Sequence, residues 1–187
     1  MSKHHPPRLV DSAITAESRY FKIEELHLEF SNGEHRTYER LVGSGRGAVM
    51  VLPITEQGEL LLVSEYAAGT ERYELGFVKG LIDPGETALV AANRELQEEV
   101  GLIASEFQLL TELSVAPSYF SSHMSVYVAQ GLRPSILPGD EPEPLHMIKV
   151  SLQDLDSVYS REDFSEARSV ASLLLLEKWL KKNKVDC

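Results

Sequence analysis

Arg94, Glu95, Glu98 and Glu99 sit close together near the end of the run GLIDPGETALVAANRELQEEVGL, from Gly80 to Leu102. On a helix advancing about 100° per residue, Glu95 and Glu99 fall roughly 40° apart, and Glu98 lies roughly 60° to the other side. Three carboxylates then share one arc. Like charges three and four residues apart repel on a helix, and anions near its C-terminal end oppose the macrodipole. Burial beside a core would add a desolvation penalty. A hard divalent cation such as Mg²⁺ or Mn²⁺ removes all three objections, because it prefers carboxylate oxygen. The planar fork of Arg94 can reach Glu86 or the neighbouring glutamates and hold them in place. On their own, the three acids fit a solvated acidic helix face better, because clustered surface glutamates are common.

The helix that must carry them is written in the same run. Leu89, Ala92, Leu96 and Val100 recur at helical spacing and predict an apolar stripe bordered by Glu95 and Glu99. Thr87 can cap the start after a Pro84-Gly85 turn, and Gly101 fits the position just past the last turn.

The rest of the chain predicts strands around this helix. A short strand is expected near Leu9–Ile14. Tyr20–Phe30 and His35–Val42 read as a hairpin joined at Ser31-Asn32-Gly33. Ala48–Ile54 is a continuous apolar run, as expected of a strand buried on both faces. Glu59–Tyr66, Tyr73–Val78, Phe107–Ala116 and Ser125–Leu132 follow, and the segment LHMIKVSL supplies a last strand. Four prolines make residues 133–146 irregular. Helices are expected over Gln153–Tyr159 and from about Ser165 to Lys182, the second with Val170, Leu173, Leu174, Glu177 and Leu180 marking its two sides. The pattern predicts an α/β fold, an α/β/α sandwich with a mixed sheet. The expected division is residues 1–46 as N-terminal antiparallel strands and 47–187 as the catalytic domain.

The chain has 187 residues and a formal net charge of −11. That charge argues against nucleic acid as a partner. A small anionic substrate stays open, given local help from metal and a few placed arginines. The single cysteine, Cys187, allows no disulfide within the chain, which suits a reducing, cytoplasmic location. No apolar run reaches membrane-spanning length, Met1 to Pro7 does not read as a signal peptide, and His4-His5 reads as a loose terminus.

Gly80, Glu86, the triplet Arg94-Glu95-Leu96, the pair Glu98-Glu99 and Gly101-Leu102 occupy, with their spacing, every fixed position of the Nudix box. The segment therefore resembles the signature of the Nudix hydrolases. The runs EYAAGTERYELGFVKG, APSYFSS, GDEPEP and SEARSVASLLLLEKWL extend the likeness to the bacterial ADP-compounds hydrolases of that family. The resemblance implies metal-dependent cleavage of a pyrophosphate joined to adenosine, as in ADP-ribose, NADH and diadenosine di- or triphosphate, with release of AMP. It implies two to three Mg²⁺ or Mn²⁺ ions, with Glu95 and Glu99 as principal ligands, Glu98 as an auxiliary ligand and the backbone carbonyl of Lys79 as another. Arg94 and Glu86 match the supporting ion pair.

Outside the box, the resemblance assigns Arg46 to the substrate phosphates and Glu74 to the adenine or the rim of the site. Glu141 becomes the general base and Glu143 a further metal ligand, in an order that could be reversed. Glu98 is the alternative base. The N-terminal strands match those that build a homodimer in ADP-sugar hydrolases. At the place where ADP-ribose hydrolases carry an arginine, this chain has Ala67 and Ala68. Cleansing of damaged nucleoside triphosphates and nucleotide sensing without catalysis are the rival readings. The second is disfavoured because no box residue is lost. Prenyl diphosphate isomerisation needs a cysteine in the pocket, and here the sole cysteine is terminal.

Overall fold

A computed structural model describes residues 5–183, so His4 and Cys187 lie outside the described residues. The chain forms two compact units. One runs to Gly47 and takes in Ser114–His123; the other holds Ala48–Leu113 and the chain from Met124 onward.

The first unit is an antiparallel meander of β1 (Arg8–Glu17), β2 (Lys22–Glu29) and β3 (His35–Leu41), in spatial order β1-β2-β3. The β2–β3 turn closes where Gly33 takes a φ of 82° and donates its N–H to the Phe30 carbonyl at 2.9 Å. Glycine adopts that left-handed conformation without the strain a Cβ would add. β1 is longer than the expected Leu9–Ile14, and all ten of its residues are exposed. Within this unit, Leu41 donates to the Tyr119 carbonyl at 2.7 Å and accepts from Ser121 at 3.2 Å.

The second unit carries β4 (Ala48–Pro53), β5 (Glu59–Ala67), β6 (Arg72–Gly76), β7 (Val78–Leu81), α1 (Ala88–Val100), all but the last two residues of β8 (Leu102–Val115), all but the first two of β9 (Ser122–Pro134), β10 (His146–Ser151), α2 (Asp156–Tyr159) and α3 (Ala167–Asn183). A mixed sheet has the order β7-β4-β9-β8, with β4 parallel to β9 and antiparallel to β7. A three-stranded antiparallel sheet has the order β10-β5-β6. β4 is buried along its whole length because both of its faces are covered. Val49 and Val51 join Ala91, Ala92 and Leu96 of α1 in one apolar cluster. Met50, which alternation turns to the opposite face, receives the Ser172 hydroxyl of α3 at 3.3 Å. Burial of each such valine contributes roughly 1.5–3 kcal/mol. The expected mixed sheet between helices is therefore present.

Several local expectations need correction. Tyr73–Val78 is two strands in two sheets, broken at the buried Phe77, and Gly80 lies inside the second of them, β7. β8 starts at Leu102, directly after Gly101, where Phe107 was expected to begin it; the Ala104 N–H is tied to the Asn93 side chain at 3.1 Å. The buried face of α1 is Ala91, Ala92 and Leu96, while Leu89 is 47% exposed. On α3 the buried positions are Ser169, Ser172, Leu173, Leu176 and Leu180, and Leu174 faces out. In both helices small residues line the inner face because the sheet lies close, a preference that a count of apolar residues misses. The helix expected over Gln153–Tyr159 is the single turn of α2. Among the described residues, no helix is long and apolar enough to cross a membrane.

Candidate active site

Local sequence sets the helix that presents the acids. The Thr87 hydroxyl accepts from Val90 N–H at 3.3 Å, and Gly101 ends the helix at a φ of 67° with its N–H on the Leu96 carbonyl. In the turn before it, Glu86 N–H bonds the Asp83 carbonyl at 3.1 Å, and Asp83 N–H returns to the Glu86 carboxylate at 3.1 Å.

Arg94 gathers the acids. Its Nε and Nη2 make a fork on Glu86 at 2.9 and 3.0 Å. Nη1 donates to Glu95 at 2.7 Å and to Glu98 at 2.8 Å, and Nη2 also donates to the Leu81 carbonyl at 2.9 Å. All five guanidinium hydrogens thus have acceptors. The Arg94 hydrogen bonds hold the Glu86 carboxyl below its ordinary pKa. The same acidic neighbours raise the affinity of Arg94 for its proton, Glu86 foremost.

Glu95 packs against β7. A Cβ on Gly80 would collide with the Glu95 carboxylate, so glycine is required for the close approach of strand and helix. Burial raises the Glu95 pKa, although Arg94 opposes the shift. Glu99 turns to the inner side. Its Oε1 accepts the Lys79 backbone N–H at 3.2 Å, and its Oε2 is buried with no hydrogen-bond partner. Burial pushes its pKa up to about 8; the Lys79 charge and N–H pull it down, and Glu95 and Glu65 push it further up. An anionic Glu99 therefore lacks compensation from the protein alone.

The loop between β9 and β10 closes over the C-terminal end of α1. Ser135 N–H bonds the Gly101 carbonyl at 2.9 Å, Leu137 N–H bonds the Gln97 carbonyl at 3.3 Å, and the Ser135 hydroxyl bonds the Gln97 side chain at 2.8 Å. These donors satisfy carbonyls that a helix end leaves open. They also bring Asp140 and Glu141 to a cleft of about 480 Å³ that Lys79, Arg94, Glu95 and Glu98 line from the other side. Partial desolvation, Glu65 and Asp140 raise the Glu141 pKa, while Lys79 lowers it.

The structure thus brings Lys79, Arg94, Glu95, Glu98 and Glu141 to one cleft. Glu99 and Glu143 line an adjoining groove of about 330 Å³ together with Glu98 and Glu141. The Glu143 carboxylate accepts the Tyr73 hydroxyl rather than turning to the box acids. Glu74 is not among the residues lining these two clefts. Its carboxylate pairs with Arg72 at 2.8 Å and accepts from the Ser165 hydroxyl at 3.3 Å, which fastens β6 to the segment before α3. Arg46 belongs to the N-terminal unit, where its N–H bonds the Ser44 hydroxyl at 3.2 Å. Among the described residues, no three acidic or histidine side chains converge tightly enough to enclose an ion as they stand, because Arg94 holds Glu95 and Glu98.

Sequence reasoning missed the Lys79 side chain, whose ammonium pairs with Glu65, and the two aspartates of the cleft, Asp83 and Asp140. Strand alternation at Val78-Lys79-Gly80 carried the signal for Lys79: a buried Val78 turns its neighbour to the opposite face.

Residues 45–173 match the family described as NUDIX domain, and residues 7–40 match the one described as NudE-type Nudix hydrolase N-terminal domain. The chain is 51% identical to the ADP compounds hydrolase NudE of Escherichia coli (strain K12), over 94% of each chain. It is 31% identical to the ADP-ribose pyrophosphatase of Bacillus subtilis (strain 168), over 83% of this chain and 88% of that one. A crystal structure of ADP compounds hydrolase superposes with a TM-score of 0.92 at 49% identity, covering 98% of both chains.

Proposed function

Because the chain belongs to the Nudix hydrolase family, we propose that it cleaves the pyrophosphate of adenosine diphosphate-linked compounds and releases AMP. ADP-ribose, NADH and diadenosine di- and triphosphate are the substrates in view. The activities for which the two relatives are named support this reading. The observation that carries it is the meeting of Glu141 with Glu95 and Glu98 at one cleft.

Nudix hydrolases generally use divalent metal ions. The donors here fit such ions: they are hard oxygens, and the buried Glu99 Oε2 lacks any partner. Glu95, Glu98, Glu99, the Lys79 carbonyl and Glu143 would hold two to three Mg²⁺ or Mn²⁺ ions. Bound there, the ions offset the charge that builds on the phosphorus under attack. Glu141 takes the proton from the attacking water, a task its raised pKa suits; Glu98 is the second choice for that role. The water oxygen bonds to one phosphorus, the bridging P–O bond breaks, and the other phosphate leaves with its group. Arg94 orients Glu95 and Glu98 throughout, while its fork on Glu86 fixes its own position.

We further propose a cytoplasmic homodimer in which residues 1–46 are the dimerisation element and 47–187 the catalytic domain. The exposed Leu9, Val10, Ile14, Tyr20, Phe21 and Tyr38 support a partner for the N-terminal strands.

The test is AMP release by purified protein with Mg²⁺ or Mn²⁺ from ADP-ribose, NADH, diadenosine polyphosphates and ADP-sugars, beside nucleoside triphosphates. Release from at least one adenosine diphosphate compound is expected. Turnover of triphosphates alone would favour the cleansing role, and no turnover of any compound would favour sensing.

A further inference from the structure

Two cations line the main cleft, Lys79 and Arg94. Arg94 has no donor left: its five hydrogens go to Glu86, Glu95, Glu98 and the Leu81 carbonyl. Lys79 differs. Its ammonium has three donors and pairs with one side chain, Glu65, on β5 of the other sheet. Its side chain is 25% exposed. A cleft-lining ammonium fastened at one point and open at the others offers an anion a ready contact.

We propose that the Lys79 side chain binds the diphosphate of the substrate and that Glu65 positions it. The assignment rests on the hydrolase reading above and adds a side chain to it: the backbone carbonyl of Lys79 would hold metal, and the ammonium takes a phosphate oxygen. The contact is ionic and makes no covalent bond. A charge-assisted hydrogen bond of this kind corresponds to about ten- to a hundredfold in affinity.

The experiment measures binding of α,β-methylene ADP, a non-hydrolysable nucleoside diphosphate, by calorimetry in Mg²⁺ buffer. Wild type is compared with Lys79→Met, Lys79→Arg, Glu65→Gln and the double variant Lys79→Met/Glu65→Gln, each checked for an unchanged melting profile. Lys79→Met is expected to bind about ten- to a hundredfold more weakly. Lys79→Arg should stay within about threefold of wild type. In steady state, Lys79→Met should raise KM by a similar factor. If Lys79 served only to pair with Glu65, the double variant would recover wild-type affinity; as a phosphate contact, it stays weak. Equal affinity of wild type and Lys79→Met, or recovery in the double variant, overturns the assignment. Failure of wild type to bind the analogue overturns it as well. AMP release by wild type, measured in parallel, reports on the hydrolase reading separately.

Discussion

Replacing Glu99 by glutamine should make the metal-free protein more stable at alkaline pH. Glu99 Oε1 accepts from Lys79 N–H, and Oε2 is buried without a partner. Glutamine keeps the accepting oxygen and removes the charge, so it mimics the protonated acid. The sign follows from linkage. Burial raises the folded pKa to about 8 from an ordinary 4.5. Below the lower value the acid is neutral in both states and carries no penalty. Between the two values the unfolded chain ionises while the folded chain keeps its proton, so stability falls as pH rises. Each pH unit in that window is about 1.4 kcal/mol, which gives an accumulated loss of about 4 kcal/mol near pH 8.

For a chain of this length, each kcal/mol shifts Tm by about 2–4 °C, so Glu99→Gln should melt roughly 10 °C above wild type near pH 8. Near pH 4.5 the two should melt within about 2 °C. The assay is thermal unfolding across that range with EDTA, repeated with excess Mg²⁺. A ligand at about a hundred times its Kd adds about 2.7 kcal/mol, so Mg²⁺ should raise the wild-type Tm by several degrees and the variant's little. Parallel pH profiles for the two proteins, or equal Mg²⁺ shifts, would refute the view that the buried Glu99 charge awaits a cation.

Gly80→Ala forces a methyl group into the space of the Glu95 carboxylate, so steady-state assays should show at least about a tenfold loss of turnover with the far-UV spectrum unchanged. Glu141→Gln should lower kcat about a hundredfold or more and leave KM close to wild type, as loss of a general base does; an unchanged kcat would move that role to Glu98. Thr87→Ala removes the hydroxyl that caps α1 and should reduce stability by about 1 kcal/mol in urea titration.

What the sequence made legible is what depends on near neighbours. The caps at Thr87 and Gly101 involve residues within one or two turns, and both form as expected. The Arg94–Glu86 pair is eight residues apart but lies on one turn and the helix after it, so it too was within reach. The contacts that were not legible depend on distant partners. Glu143 accepts from Tyr73 across 70 positions, and Glu74, besides its local pair with Arg72, accepts from Ser165 across 91. Nothing local to Glu143 distinguishes a carboxylate held by a hydroxyl from one that does not meet any. The inner face of α1 was misread for a related reason: the close approach of β7 and β4 selects alanine at 91 and 92 and leaves Leu89 outside.

The acidity of the chain works at two scales. A net charge of −11 opposes long polyanions at a distance. Inside the cleft, Asp83, Glu95, Glu98, Asp140 and Glu141 face only Lys79 and Arg94, and Arg94 is fully engaged. A diphosphate entering alone meets five carboxylates and one ammonium with donors to spare. It gains little there that water does not already offer. The same anion accompanied by divalent ions reverses the balance, because each carboxylate becomes an attraction. Under the proposed function, cleft acidity would favour the state in which anion and cations are present together. On this view, neutralising Asp83 or Asp140, which the sequence reading did not single out, should relax discrimination against metal-free nucleotide before it reduces turnover.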